Sequence, residues 1–132
     1  MSVPAQFRAS LVSKDFSGVI VYESFINDCI EGCDIERIKK FAESIDSLDP
    51  FSKDRDSLAS ALLGASVQLT IDADGRVILP EELIKKAKIK NTAVFVGKGP
   101  TFEIWQPNLF AEHMAKAKKD ARQNLDLVRL NK

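Results

Sequence analysis

"TIDADGRVILPEEL", residues 70–83, is a run of strand-forming residues broken by Asp72-Ala73-Asp74-Gly75-Arg76, with an acid and a base four positions apart. Asp-Gly between apolar alternations signals a reversal or a kink in a β segment. Within the pentapeptide only Gly75 takes a positive φ without a Cβ penalty. After Arg76 the chain resumes with Val77, Ile78 and Leu79. Pro80 then opens a helix with Glu81 and Glu82 in its first turn and Lys85, Lys86 and Lys88 toward its end, charges that suit both poles of a helix dipole. The stretch predicts strand, tight turn carrying Arg76, strand, short helix.

Upstream, "VPAQFRASLV" (3–12) places Phe7, Leu11 and Val12 near helical spacing after Pro4, and "VIVYESFINDCI" (19–30) is β-branched and aromatic enough for a strand or hairpin. From Asp34 the period changes. Ile35, Ile38, Phe41, Ala42 and Ile45 recur every three or four residues, which predicts an amphipathic helix with Asp34 as N-cap. Pro50 breaks it, and a second helix is expected at about 54–63, with Leu58, Ala61 and Leu62 on its apolar edge and Gly64 as its stop. Downstream, "TAVFVGKGPTFEIWQP" (92–107) reads as two strands joined at Gly97-Lys98-Gly99-Pro100. After Pro107 a long helix is expected to run to the end, with Phe110, Met114, Ala117, Ala121 and Val128 on one side.

The chain has 132 residues, 45% apolar and 29% charged, a globular composition long enough for one domain or two small halves sharing a core. No apolar run approaches the roughly 20 residues of a membrane span, and "MSVPAQFRAS" lacks the layout of a signal peptide, so a cytoplasmic protein is expected. Net charge is zero, but residues 1–66 carry seven Lys/Arg against eleven Asp/Glu and residues 67–132 twelve against eight. The C-terminal half is the electropositive one. Cys29 and Cys33, with the lone His113 far away, do not make a tetrahedral ligand set and read as buried free thiols. His113 falls in a helical pattern and reads as a helix-surface residue. No nucleophile elbow, phosphate-binding loop, dinucleotide loop or zinc-protease motif is present, so neither catalysis, cofactor nor metal is expected.

Setting Pro4 on Pro80 brings "SVPAQF" onto "ILPEEL" and Phe7 onto Leu83; with one residue of slippage "VIV" (19–21) falls on "VFV" (94–96). The chain thus reads as two copies of one unit separated by a helical insert. The expected boundaries are 1–33 for the first copy, 34–64 for the insert, 65–106 for the second copy and 107–132 for the C-terminal helix.

These residues resemble a known family. Asp72-x-x-Gly75-Arg76 followed by "VILPEEL", "VFVGKG" and "FEIW" (102–105) is similar to the second repeat of the MraZ transcriptional regulators, and "DPFSKDRDSLASALLGAS" (49–66) to their inter-repeat segment; the similarity runs from Val3 to about Arg122. The resemblance implies an α+β fold of two pseudo-repeated, swapped-hairpin, AbrB-like β-barrel halves with a helical insert and a long C-terminal helix. It further implies a homo-oligomer, a ring, bound to double-stranded DNA at promoter repeats of the division and cell-wall gene cluster, in the cytoplasm at the nucleoid and away from membranes. Asp72, Gly75 and Arg76 would be its DNA-binding element. A usual member carries another Asp-x-x-Gly-Arg strand just ahead of the residues matching "SVPAQFR". The expectation is therefore that the true start lies upstream of Met1, and that the chain as given leaves first-half strand edges unpaired. A second expectation is a protein-interaction or antitoxin-like module on the same scaffold that has lost DNA binding.

The chemistry fits the element. A guanidinium presents fixed donors in a plane, suited to phosphate or to the O6/N7 edge of guanine, and a β-turn can project it into a groove. Asp72 either accepts hydrogen bonds from turn amides and orients Arg76, or forms an ion pair with it that closes the turn. Lys85, Lys86, Lys88 and Lys90 either add backbone contacts or form a solvated helix face. One arginine binds weakly, and repetition over linked subunits multiplies it.

Overall fold

The computed structural model describes residues 1–11 and 18–128. Val12 and residues 129–132, which the sequence places on helices, lie outside the described residues. Five strands, β1 (Gly18–Glu23), β2 (Ile30–Cys33), β3 (Val67–Thr70), β4 (Val94–Lys98) and β5 (Thr101–Trp105), form one antiparallel sheet in the order β3-β1-β2-β5-β4. The β1–β2 hairpin expected at 19–30 forms, and its second strand runs on to Cys33. In its bend the Ser24 hydroxyl accepts the amides of Ile26 and Asn27, both at 3.2 Å. The β4–β5 hairpin turns at Gly99 with φ 75°.

Because side chains alternate across a strand, the register sorts them onto two faces. Val19, Val21, Ile30, Phe102 and Ile104 share one face. There they bury Val3, Leu11, Val77, Leu79, Ala87 and Ile89, with Phe7, Leu83 and Phe95 packed alongside. Helices α1 (Ala5–Leu11) and α4 (Glu81–Lys86) supply much of this layer. Gly32 pairs with Phe102 across β2 and β5, and a Cβ there would lie 2.6 Å from Phe102 Cζ, so the ring occupies the space that glycine leaves. Phe102 also contacts the rings of Phe7 and Phe95 at 5.4 and 5.9 Å.

The opposite face has two coverings. Ile20, Tyr22 and Cys33 pack against Ile45 of α2 (Ile35–Asp46) and Leu62. Asp34 caps α2 as expected, accepting the Arg37 amide at 2.8 Å. The helix expected at 54–63 is instead α3 (Lys53–Leu58) running into a π-helical turn, Ala59–Gly64. At the far end of this face Glu103, 2% exposed, accepts hydrogen bonds from Trp105 Nε1 (2.9 Å), Asn27 Nδ2 (3.2 Å) and Lys98 Nζ (3.2 Å). Burial pushes its carboxyl up, but these three donors and the charge of Lys98 outweigh that and hold it below its ordinary range. Trp105 also stacks on His113 of α5 (Pro107–Gln123) at 4.7 Å, so His113 is half-buried and not the surface residue expected.

Three further expectations are corrected. Val77–Leu79 does not form a strand on β3. It lies beside Met1–Val3, with Val3 N donating to Gly75 O and Val77 N to Met1 O, both at 2.8 Å, around a bridge between Ser2 and Arg76. First-half strand edges are not bare, since β1 lies between β2 and β3 and β2 between β1 and β5. The last helix stops at Asn124, whose Nδ2 donates to Asp120 O at 2.9 Å, and a 3-10 turn (Leu125–Leu127) precedes Val128.

The two helices keep the 76-residue offset of the echo, α1 beginning at Ala5 and α4 at Glu81. Both cysteines are free and buried. Burial chiefly, with the charge of Glu103 next for Cys29 and of Asp34 for Cys33, pushes each thiol up to about 12. Among the described residues no helix is long and apolar enough to cross a membrane.

Candidate nucleic-acid interface

Beyond Thr70 the chain leaves the sheet and turns on Asp72. The backbone closes the loop through Gly75 N to Asp72 O (3.0 Å) and Asp72 N to Arg76 O (2.9 Å). The Asp72 side chain fastens it a second time, Oδ1 accepting the amides of Asp74 and Arg76, each at 2.9 Å. Of the two roles open to Asp72 in the sequence, the geometry gives the first. Among the described residues no ion pair joins Asp72 to Arg76. Gly75 has φ 75°, the left-handed conformation that its sequence position predicted.

Arg76 emerges from this turn exposed to solvent, while Val77 and Leu79, 2% and 6% exposed, anchor the segment in the core. Ile78, between them, is 88% exposed and projects on the same side as Arg76. The segment pairs with Met1–Val3, so Arg76 stands on a short two-stranded ribbon. Asp72, Gly75 and Arg76 are thus brought together in one hydrogen-bonded turn.

Arg8 was not singled out in the sequence, yet its side chain lies across Gly75. A Cβ at that position would collide with Arg8 Nη1 and come within 2.8 Å of its Cδ. A second guanidinium therefore sits at the residue preceding Arg76. No local signal marks Arg8; the internal echo equates only the neighbouring segments 1–3 and 77–79, which lie side by side around the Ser2–Arg76 bridge.

The α4 lysines divide. Lys85 pairs with Glu81 at 3.7 Å, and Lys86 with Glu23 at 3.4 Å and Glu82 at 3.6 Å. The Glu23 hydrogen bond and charge, then Glu82, hold the Lys86 ammonium above its ordinary value. Lys88, with φ 59°, marks the end of α4, and both Lys88 and Lys90 are exposed. The solvated-face reading accounts for Lys85 and Lys86, since exposed pairs of this kind add little energy and leave both partners in water.

The sequence is similar to those of known proteins. A family model described as "MraZ protein, putative antitoxin-like" matches residues 62–128, which include the Asp72–Arg76 turn, the β4–β5 hairpin and α5. "Transcriptional regulator MraZ" of Rickettsia akari is 50% identical over 123 residues, 93% of this chain and 83% of that protein. The protein of the same name from Rickettsia felis is 49% identical over the same shares of the two chains.

Proposed function

The chain belongs to the MraZ family of transcriptional regulators, which is not a family of enzymes, and from that premise we propose that it acts by sequence-specific binding to double-stranded DNA, with Arg76 as the principal contact. The observation that carries the assignment is an exposed guanidinium on a ribbon whose turn is fixed by Asp72 and Gly75. Preorganisation matters here because ordering a long side chain and its loop on binding would consume part of the contact energy. Asp72 contributes geometry and not attraction, since its own charge repels phosphate.

We further propose that the chain works as a homo-oligomer, a ring, on repeated operator boxes of the division and cell-wall gene cluster, in the cytoplasm at the nucleoid. One observation supports self-association. Phe25, Ile26 and Leu58 are 58%, 84% and 41% exposed around an apolar groove of about 290 Å³ floored by Tyr22 and Phe41. The sheet order supports reading 1–33 and 65–106 as two AbrB-like swapped-hairpin halves, because the β1–β2 hairpin is inserted between β3 and β5.

The test is binding of the full chain to duplexes carrying one, two or three boxes from its own upstream region, over a salt series. Affinity is expected to rise more than additively with box number and to fall steeply with salt. Arg76→Ala is expected to cost at least tenfold per box. Undiminished binding by that variant removes Arg76 from the interface.

A further inference from the structure

We propose that Ile78 reads DNA sequence by apolar contact with a thymine methyl group, about two base-pair steps from the site gripped by Arg76. The inference rests on the DNA-binding reading above and adds a specificity determinant to it.

Isolated apolar side chains on a protein surface are ordinary. Ile78 differs in where it stands. From Arg76 to Leu79 the chain alternates outward, inward, outward, inward, with Val77 and Leu79 buried and Ile78 88% exposed. Arg76 and Ile78 therefore share the outer side of one ribbon. That ribbon is held from beneath by the Val77 N to Met1 O hydrogen bond of 2.8 Å and by the packing of Val77 and Leu79 beside Val3. A β-branched side chain on such a backbone is stiff at χ1, so it is presented in a narrow range of positions.

The spacing matches the partner. Residues i and i+2 of extended chain are about 6.6 Å apart, the burial alternates with that repeat from Arg76 to Leu79, and base pairs rise about 3.4 Å per step. When Arg76 engages one position, Ile78 lies over a position two steps away. In the major groove the base edges offer hydrogen-bonding groups and a single apolar one, the C5-methyl of thymine. An isoleucine on an arginine-bearing ribbon finds its chemical complement there and nowhere on the phosphate backbone.

The experiment uses the full chain and the tightest-binding duplex selected from random sequence. Each thymine is replaced in turn by deoxyuridine, which deletes only the methyl group, and affinity is measured by fluorescence anisotropy for the native chain and for Ile78→Ala. In the native chain one thymine per box is expected to show an affinity loss of about fourfold on replacement, the equivalent of about 0.8 kcal/mol for one buried methyl. In Ile78→Ala that replacement is expected to be silent. The thymine should lie two base pairs from the position whose substitution becomes silent in Arg76→Ala. A deoxyuridine penalty that persists in Ile78→Ala, or no penalty at any thymine, overturns the assignment while leaving the DNA-binding reading intact. An altered assembly mass for Ile78→Ala in light scattering, with the penalty unchanged, assigns the side chain to self-association and also overturns it. Failure to retain any duplex from the random pool defeats the DNA-binding reading, and Ile78 with it.

Discussion

Asp72 holds Arg76 by its backbone: Oδ1 of the carboxylate accepts the Arg76 amide at 2.9 Å, and among the described residues no ion pair links the two side chains. The acid of the Asp-x-x-x-Arg element is thus a turn clamp. Asn retains an oxygen that can accept the same amides, whereas Ala leaves them to water. Asp72→Asn is expected to keep the melting temperature within about 2 °C and to bind DNA at least as well as the native chain, one negative charge having been removed near phosphate. Asp72→Ala is expected to lose about 1–2 kcal/mol in urea denaturation, one modest hydrogen bond for each amide released.

The clash at Gly75 has two separable parts. Gly75→Ala costs about 1–2 kcal/mol for a Cβ at positive φ, and more for the collision with Arg8. Truncating Arg8 to Ala removes the second part only. Urea denaturation of the two single variants and the double variant is expected to show a double variant more stable than the sum predicts.

Gly32 and Phe102 form a pair in which one residue's absence of side chain houses the other's ring. Gly32→Ala is expected to destabilise by about 1–3 kcal/mol through overpacking. Adding Phe102→Leu should recover part of that loss, although it carries its own cost, and equilibrium denaturation measures both.

Glu103 links stability to acidity. Its carboxyl is held below the ordinary value of 4.5, so its contribution is fully present above that value and disappears as the pH falls through the lower value it has in the fold. The native chain is expected to lose stability on acidification below 4.5 more steeply than Glu103→Gln. Denaturation midpoints at a series of acid pH values provide the comparison.

Cys29 and Cys33 are buried, and their thiols are pushed up to about 12. At pH 8 both are expected to resist iodoacetamide in the folded chain and to react at rates that follow global unfolding as urea is raised. Mass spectrometry of the alkylated chain follows each site separately.

Local chemistry made several elements legible in the sequence. The Asp34 cap, the positive φ of Gly75 and the Gly99 turn follow from residue types and their immediate neighbours. Long-range partners did not. Nothing near Val77 says that its extended segment pairs with Met1–Val3 and not with β3, because that choice is made by residues 76 positions away. The same holds for Glu103: an acid between Phe102 and Ile104 on a strand reads as solvent-facing until Asn27, Lys98 and Trp105 converge on it. The end of α5 at Asn124 was missed because apolar spacing continues to Val128 while the asparagine stops the helix. For the candidate site, the turn was readable and Arg8 was not, since its contact with Gly75 crosses between distant parts of the chain.

The strand order carries a consequence for biogenesis. The central strands, β1 and β2, are made first, and the flanking strands β3, β5 and β4 emerge from residue 67 onward. At about 5–20 residues per second, a ribosome exposes that hairpin for several seconds before its neighbours exist. The nascent hairpin must therefore wait with its strand edges unpaired, sheltered on one face by α2 and Leu62, and the sheet closes when β3, β5 and β4 follow.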